Sequence, residues 1–321
     1  MLIPILLFLL GFALLIKGGD WFVDGAVGIA HHFHLPELLI GATVLSIGTT
    51  LPEVMVSVQA AMAGNSGISY GNAIGSVICN TSLIAALTTA IHPASTDRKS
   101  LVLPITAFFV SAAIYAAIAY TTGNFLRWQG LLFLAMFVLY LILTVMQMKR
   151  SPEPAAEHEE NGEEVVMWKA LVGLVVGAAA IAFGARLLVD NGTIIAEALG
   201  VPSSVIGLTM VALGTSLPEL VTAITSLLKG HGALSLGNVI GANLFNIVLV
   251  SGASIAIHPF AIPAEKTIAG MNASLVVDLP VMFTVMLLLC VPPLFKGKLY
   301  RWQGILLLMI YAGFTVFQFC S

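Results

Sequence analysis

The chain has 321 residues, of which 59% are hydrophobic and only 9% charged, with a formal net charge of -3 at pH 7. Soluble domains carry about 25% charged residues, so a mean hydropathy of +1.01 excludes an ordinary soluble protein and defines a polytopic membrane protein. The three cysteines, Cys79, Cys290 and Cys320, lack metal-ligand spacing and suggest neither a disulfide framework nor a zinc site; the negative charge comes largely from one loop and implies no nucleic-acid partner.

At about 20 residues per crossing, the apolar runs and their breaks predict spans at 2–30, 37–63, 69–91, 101–121 and 126–148, then at 166–198, 203–228, 234–257, 272–294 and 300–320. The first run has no basic n-region and no small-residue cleavage site, so it reads as a span and not a signal peptide. The first and sixth spans carry polar residues in their second halves (Lys17, Asp20, Asp24; Arg186, Asp190), as tilted or partly exposed helices do. Between spans five and six, Ser151 to Glu164 holds six glutamates and two prolines with no apolar period. This composition reads as a solvated linker over 150–165 in preference to a Ca²⁺ sensor. His31, His32 and His34 read as an interfacial loop in preference to a metal site.

The second span contains Gly48-Thr49-Thr50-Leu51-Pro52-Glu53, and the seventh contains Gly214-Thr215-Ser216-Leu217-Pro218-Glu219. Proline removes an amide from the helical ladder and clashes with the carbonyl four residues back, so each span should break or loosen near its glycine. Broken backbone at membrane depth is tolerated only where it is buried in protein or lines a polar cavity. A glutamate follows each break.

The hexapeptides belong to a larger repeat. Pro36 to Pro93 aligns with Pro202 to Pro259 at a constant offset of 166, without a gap, with 21 identities in 58 positions. The matches include Gly71-Asn72 with Gly237-Asn238, Asn80 with Asn246, and His92-Pro93 with His258-Pro259; the same offset pairs Asp24 with Asp190. Arg127-Trp128-Gln129-Gly130 recurs as Arg301-Trp302-Gln303-Gly304 and reads as an interfacial anchor. Each half is a five-span unit, 1–149 and 166–321, with core motifs at 36–93 and 202–259. Because five is odd, the halves enter the membrane from opposite sides, the inverted-repeat plan of secondary transporters. The expected fold is therefore an all-α polytopic membrane protein of 10 transmembrane helices in two inverted repeats, with helices 2 and 7 discontinuous. Basic residues cluster on the side of Arg98, Lys99, Lys149, Arg150, Lys169, Lys229, Lys296, Lys298 and Arg301, against Arg127 and Lys266 on the other. The positive-inside rule then puts the linker in the cytoplasm and both termini outside.

Helical positions i, i+3, i+4 and i+7 share a face. Ser46, Thr49, Thr50 and Glu53 have that spacing, as do Ala212, Thr215, Ser216 and Glu219, while Asn72, Ser76, Asn80 and Asn238, Ala242, Asn246 form a second line in each half. Asn80 and Asn246 read as site residues, whereas Asn72, Asn238 and Asn243 read as packing residues. Hydroxyls, amide oxygens, free carbonyls and two carboxylates suit hard cations such as Ca²⁺, which take six to eight oxygens. An acidic side chain at a helix centre costs roughly 2.5–3.5 kcal/mol, and no Lys or Arg lies in either motif to pair with the glutamates. One divalent or two monovalent cations would neutralise the pair, and competing ions would share it.

These residues closely resemble the alpha-repeats of the sodium/calcium exchanger family, prokaryotic type, in the cation/calcium antiporter superfamily; the resemblance spans nearly the whole chain. It implies alternating access and exchange of extracellular Na⁺ for Ca²⁺ at a cluster of cation sites. Carried over by position, Glu53 and Glu219 would hold Ca²⁺ and share in the Na⁺ sites, with Thr49, Thr215, Thr50 and Ser216 completing the ligands. Ser46 and Ala212 would act through their carbonyls, Ser76 would bind Na⁺, and Asn80 would line the centre. The first and sixth helices would form a sliding gate. Three positions depart from the family pattern: Thr50 stands for serine, Ala242 for the symmetric serine, and Asn246 for an aspartate found in some relatives, notably potassium-dependent ones. The resemblance implies no cofactor, only transported Ca²⁺ and Na⁺, and the chain reads as a monomer in the lipid bilayer of a prokaryotic inner membrane. A proton as coupling ion is the alternative at the same site. A membrane enzyme using Glu53 and Glu219 as acid and base is a remote one, since no nucleophile-base set or His-Glu-x-x-His motif accompanies them.

Overall fold

The computed structural model describes residues 1–93, 96–150, 167–199, 212–264, 267–268 and 270–320. Its helices are α1 (Leu2–His32), α2 (Glu37–Met62), α3 (Ser66–Ile91), α4 (Arg98–Thr121) and α5 (Arg127–Arg150), then α6 (Met167–Ala198), α7 (Ala212–Thr215 with Leu217–Leu228), α8 (Gly232–Ile257), α9 (Ser274–Lys296) and α10 (Arg301–Cys320). Eight are long and apolar enough to cross a membrane, and Leu217–Leu228 is a shorter apolar helix. The expected linker at 151–165, the start of the seventh span at 203–211 and Lys266 lie outside the described residues. The described strands are short: β1 (Asn124–Phe125) pairs with β2 (Phe260–Ala261), β3 (Thr267–Ile268) forms a hairpin with β4 (Met271–Asn272), and Lys298 makes an isolated bridge.

The helix ends follow from local chemistry. Asn65 Oδ1 accepts from the Ile68 amide at 3.0 Å and starts α3; Asp97 accepts from the amides of Lys99 and Ser100 and starts α4. The α2–α3 and α7–α8 connections turn on Gly64 (φ 74°) and its twin Gly230 (φ 86°), a left-handed conformation that favours glycine. The Arg-Trp-Gln-Gly pair caps helices: Gln129 Oε1 accepts from the Leu126 amide and Gln303 Oε1 from the Tyr300 amide, each at 2.7 Å, at the starts of α5 and α10. Arg127 reaches the Ile257 carbonyl of α8, and Arg301 the Ile91 carbonyl of α3. The fifth helix of each unit thereby closes onto the other unit.

The centre is built from irregular helices. α2 passes from Glu37–Ile40 through a π-helical turn, Gly41–Leu45, into Ser46–Met62, and α3 and α8 carry π-helical turns at Asn80–Ala85 and Asn246–Ser251. The last two are separated by the repeat offset. Pro52 lies inside a continuous stretch of α2, so the irregular turn falls upstream of the position the proline suggested. The sequence there supplies what a widened turn needs: Ser46 Oγ donates to the Gly41 carbonyl at 2.8 Å, and the Tyr140 hydroxyl of α5 donates to the Ala42 carbonyl at 2.9 Å. In α7 the helix does break, at Ser216 (φ -90°, ψ 3°), and Pro218 occupies the first turn of the new helix, where no amide is needed. α2 and α8 cross in backbone contact: a Cβ on Gly41 would fall 2.3 Å from the Leu234 carbonyl oxygen, and one on Gly237 2.1 Å from that of Leu38. α1 and α6 pack mainly against each other, at the flank of this core.

Candidate cation-binding site

α2, α3, α7 and α8 touch one another around the two hexapeptides. Glu53 and Glu219 are both fully buried, and neither carboxylate has a hydrogen-bond partner among the described residues. Glu53 stands within electrostatic reach of Glu219. Thr50 Oγ1 and Ser216 Oγ are likewise buried without partners, as are both amide atoms of Asn80 and of Asn246. The orphaned atoms come in symmetric pairs: Thr50 with Ser216, Glu53 with Glu219, Asn80 with Asn246. An unpaired buried polar atom costs about 1–3 kcal/mol, and a charged one more. A set this dense in oxygens has the composition of a hard-cation site. Among the described residues no cluster of three or more His, Cys, Asp or Glu could hold a metal, so a cation held here takes most of its ligands from hydroxyl, amide and carbonyl oxygens.

The remaining residues singled out in the sequence take varied places. Ser76 and Ala242 are buried, and Thr215 is half-buried. Ser46 Oγ, with one proton to donate, lies within hydrogen-bond reach of Gly41 O at 2.8 Å, Asn238 O at 2.9 Å and Asn238 Oδ1 at 3.3 Å. Thr49 Oγ1 donates to Asn238 Oδ1 at 3.4 Å and stands beside Glu219. Ala212 begins the turn ahead of the α7 break.

Of the three asparagines assigned to packing, Asn243 donates to Thr81 Oγ1 at 2.8 Å, away from the hexapeptides, whereas Asn72 and Asn238 reach them. Asn72 Nδ2 donates to the Glu53 carbonyl at 3.0 Å and to Ser57 Oγ at 2.8 Å, fixing the backbone that carries the carboxylate. Asn238 takes the hydroxyls of Ser46 and Thr49, linking the two units. The signal was present in the repeated Gly-Asn pair, but not its partners. Cys79 is also nearer the site than its apolar neighbours suggested: it stands beside Ser216 and accepts from the Tyr311 hydroxyl at 3.7 Å.

Inverted five-helix units whose irregular helices converge on buried carboxylates form the architecture of a secondary transporter. The chain belongs to the sodium/calcium exchanger protein family, whose model matches residues 3–146 and 169–320. It is 40% identical over 307 residues to an uncharacterized membrane protein of Methanocaldococcus jannaschii, covering 95% of this chain and 94% of that protein. It is 32% identical to the sodium/calcium exchanger MaX1 of Methanosarcina acetivorans, covering 98% of each. A structure of the sodium-calcium exchanger NCX_Mj, soaked with 2.5 mM Na⁺ and 10 mM Sr²⁺, superposes with a TM-score of 0.82 at 36% identity over 97% of both chains. The family and these structural neighbours are exchangers and not enzymes.

Proposed function

We propose that the protein is a secondary active antiporter exchanging Na⁺ for Ca²⁺ at one shared site around Glu53 and Glu219, opened alternately to the two faces of the membrane. One observation carries this reading: both glutamates of the twin hexapeptides are fully buried with no partner among the described residues, amid hydroxyl and amide atoms that also lack one. The named ions of MaX1 and NCX_Mj support the choice of cations. In this reading Glu53 and Glu219 hold Ca²⁺ and share in Na⁺ binding. Thr50 and Ser216 offer hydroxyls, Asn80 and Asn246 amide oxygens, Thr49 and Thr215 hydroxyl or carbonyl oxygens, Ser46 and Ala212 carbonyls, and Ser76 a Na⁺ ligand that Ala242 does not match. The protein works as a monomer, with the end bearing Lys99, Lys149, Lys169 and Lys229 in the cytoplasm.

The test is ⁴⁵Ca²⁺ uptake into proteoliposomes under an outward Na⁺ gradient, an outward H⁺ gradient, or neither. Uptake is expected with the Na⁺ gradient alone. Uptake driven by the H⁺ gradient replaces Na⁺ as coupling ion, and uptake indifferent to both gradients overturns antiport.

A further inference from the structure

We infer that Lys229, Asp20 and Asp24 form a latch that holds the proposed site shut at one end of the bundle and biases the protein toward opening at the other. This rests on the alternating-access reading above. Lys229 caps the C-terminus of the helix whose first turn carries Glu219, so a rise of ten residue steps, about 15 Å, separates the two positions along one helix. Its ammonium donates to Asp24 Oδ1 at 2.7 Å and to the Asp20 carbonyl at 3.3 Å, with Asp20 Oδ1 at 3.4 Å. Both aspartates lie on α1. The seat beneath the clasp is steric: α1 lies across Val221 and Thr225, which precede Lys229 at intervals of four. A Cβ on Gly19 would fall 2.7 Å from Val221 Cγ1 and 2.9 Å from Thr225 Oγ1.

The repeat supplies an internal control. At the offset of 166, the equivalent contact at the other end lies between α6 and α2, where Arg186 replaces Asp20, Asp190 replaces Asp24 and Ala63 replaces Lys229. Arg186 Nε instead faces Asp190 Oδ2 at 3.6 Å on its own helix, and Ala63 has no charge to offer. A second polar tie strengthens the latched end: His231 Nδ1 lies 2.8 Å from Glu37 Oε1 and His31 Nε2 lies 3.8 Å from it, joining α8, α2 and α1. Their counterparts are Asn65, Ser203 and Glu197, a set that cannot place a carboxylate between two imidazoles. Two identical inverted units would make the two end states equal in energy, so differences between the units at opening interfaces set the population ratio. The latch must part for its own end to open. By the basic-residue distribution, that end is the cytoplasmic one.

Lys229→Met keeps the aliphatic stem and removes the charge. In proteoliposomes of known orientation, half-saturating Ca²⁺ for Ca²⁺/Ca²⁺ exchange is measured from each face. With Lys229 27% exposed, the ratio of the latch-face value to the opposite-face value should fall by roughly two- to fivefold, the range of partly exposed ion pairs. The charge swap Lys229→Asp with Asp24→Lys should return the ratio toward that of the native protein, which a packing defect would not do. Hydrogen exchange should quicken at 17–24 and 221–229 in Lys229→Met but not at 183–190. An unchanged ratio in a variant that still transports overturns the latch, as does unchanged exchange at those segments. If the native protein carries no Ca²⁺ in either direction, the antiport reading fails, while the hydrogen-exchange comparison still decides whether Lys229 clasps α1.

Discussion

Glu53 and Glu219 are isosteric with glutamine, so Glu53→Gln and Glu219→Gln remove charge without disturbing the packing around them. Removing one member of a buried set of opposite charges costs about 3–5 kcal/mol, which is about two or more factors of ten in affinity. Each variant should therefore lose ⁴⁵Ca²⁺ uptake almost entirely. In Ca²⁺-free, Na⁺-free buffer its melting temperature should equal or exceed that of the native protein, because repulsion between two unpaired carboxylates has been removed. Full transport in either variant refutes the site. Ala242 is the subtler position, since it is fully buried where its twin is Ser76. Ala242→Ser adds one oxygen, and at about 0.5–1.5 kcal/mol per neutral hydrogen-bond-type contact half-saturating Na⁺ should fall roughly two- to tenfold in Na⁺-dependent Ca²⁺ release; no change places residue 242 away from Na⁺. Residue type and repetition made the unpartnered burial of the two glutamates readable in the sequence. They did not make Asn238 readable. Its twin Asn72 bonds within its own unit to Ser57, but Ala223 stands at the equivalent place in the second unit. Asn238 Nδ2 lacks that acceptor, while its Oδ1 accepts from Ser46 and Thr49 of the other unit, and a partner across a fold interface leaves no mark in local spacing.

At the scale of the element, the pattern showed that α2 and α7 must be irregular but not where. A π-helical turn depends on which freed carbonyls find donors, and one donor, the Tyr140 hydroxyl, comes from a helix nearly 100 residues away, at 98 positions from Ala42. Tyr140→Phe leaves the Ala42 carbonyl buried without that donor. The expected loss is about 1–3 kcal/mol of stability, seen as a lower melting temperature, and transport should weaken because the turn leads directly into the Thr49 to Glu53 segment. An unaltered melting temperature would show that the turn holds without its tyrosine. The crossing of α2 and α8 is less forgiving. In Gly237→Ala the new methyl meets a backbone carbonyl at 2.1 Å, which neither rotamer change nor a flexible neighbour relieves. Overpacking in a well-filled core costs about 1–3 kcal/mol or more, so this variant should be less stable than Gly71→Ala, where a Cβ would meet nothing within 4 Å. Equal stability of the two would mean that the helices separate readily at this crossing.

At the scale of the molecule, the inverted plan was readable because the offset of 166 runs without a gap through both core motifs, and it places two acidic groups in a core with no basic partner among the described residues. Under the proposed function, that arrangement favours a carrier over a pore. In the proposed exchange, a core whose site is filled with cations would rearrange while carrying little net charge through low dielectric. With the site empty, two buried carboxylates would have to move unpaired, and each acidic group at membrane depth costs roughly 2.5–3.5 kcal/mol even on the lenient insertion scale. The empty protein should therefore cross between its open states at least about tenfold more slowly than the loaded one, since about 1.4 kcal/mol is a factor of ten. Proteoliposomes loaded with ⁴⁵Ca²⁺ and diluted into medium lacking both Na⁺ and Ca²⁺ should retain their label. Addition of Na⁺ or of unlabelled Ca²⁺ outside should release it at least about tenfold faster. Release at one rate in all three media would mean that the site empties without an exchange partner, and the two carboxylates would then line a passive pathway.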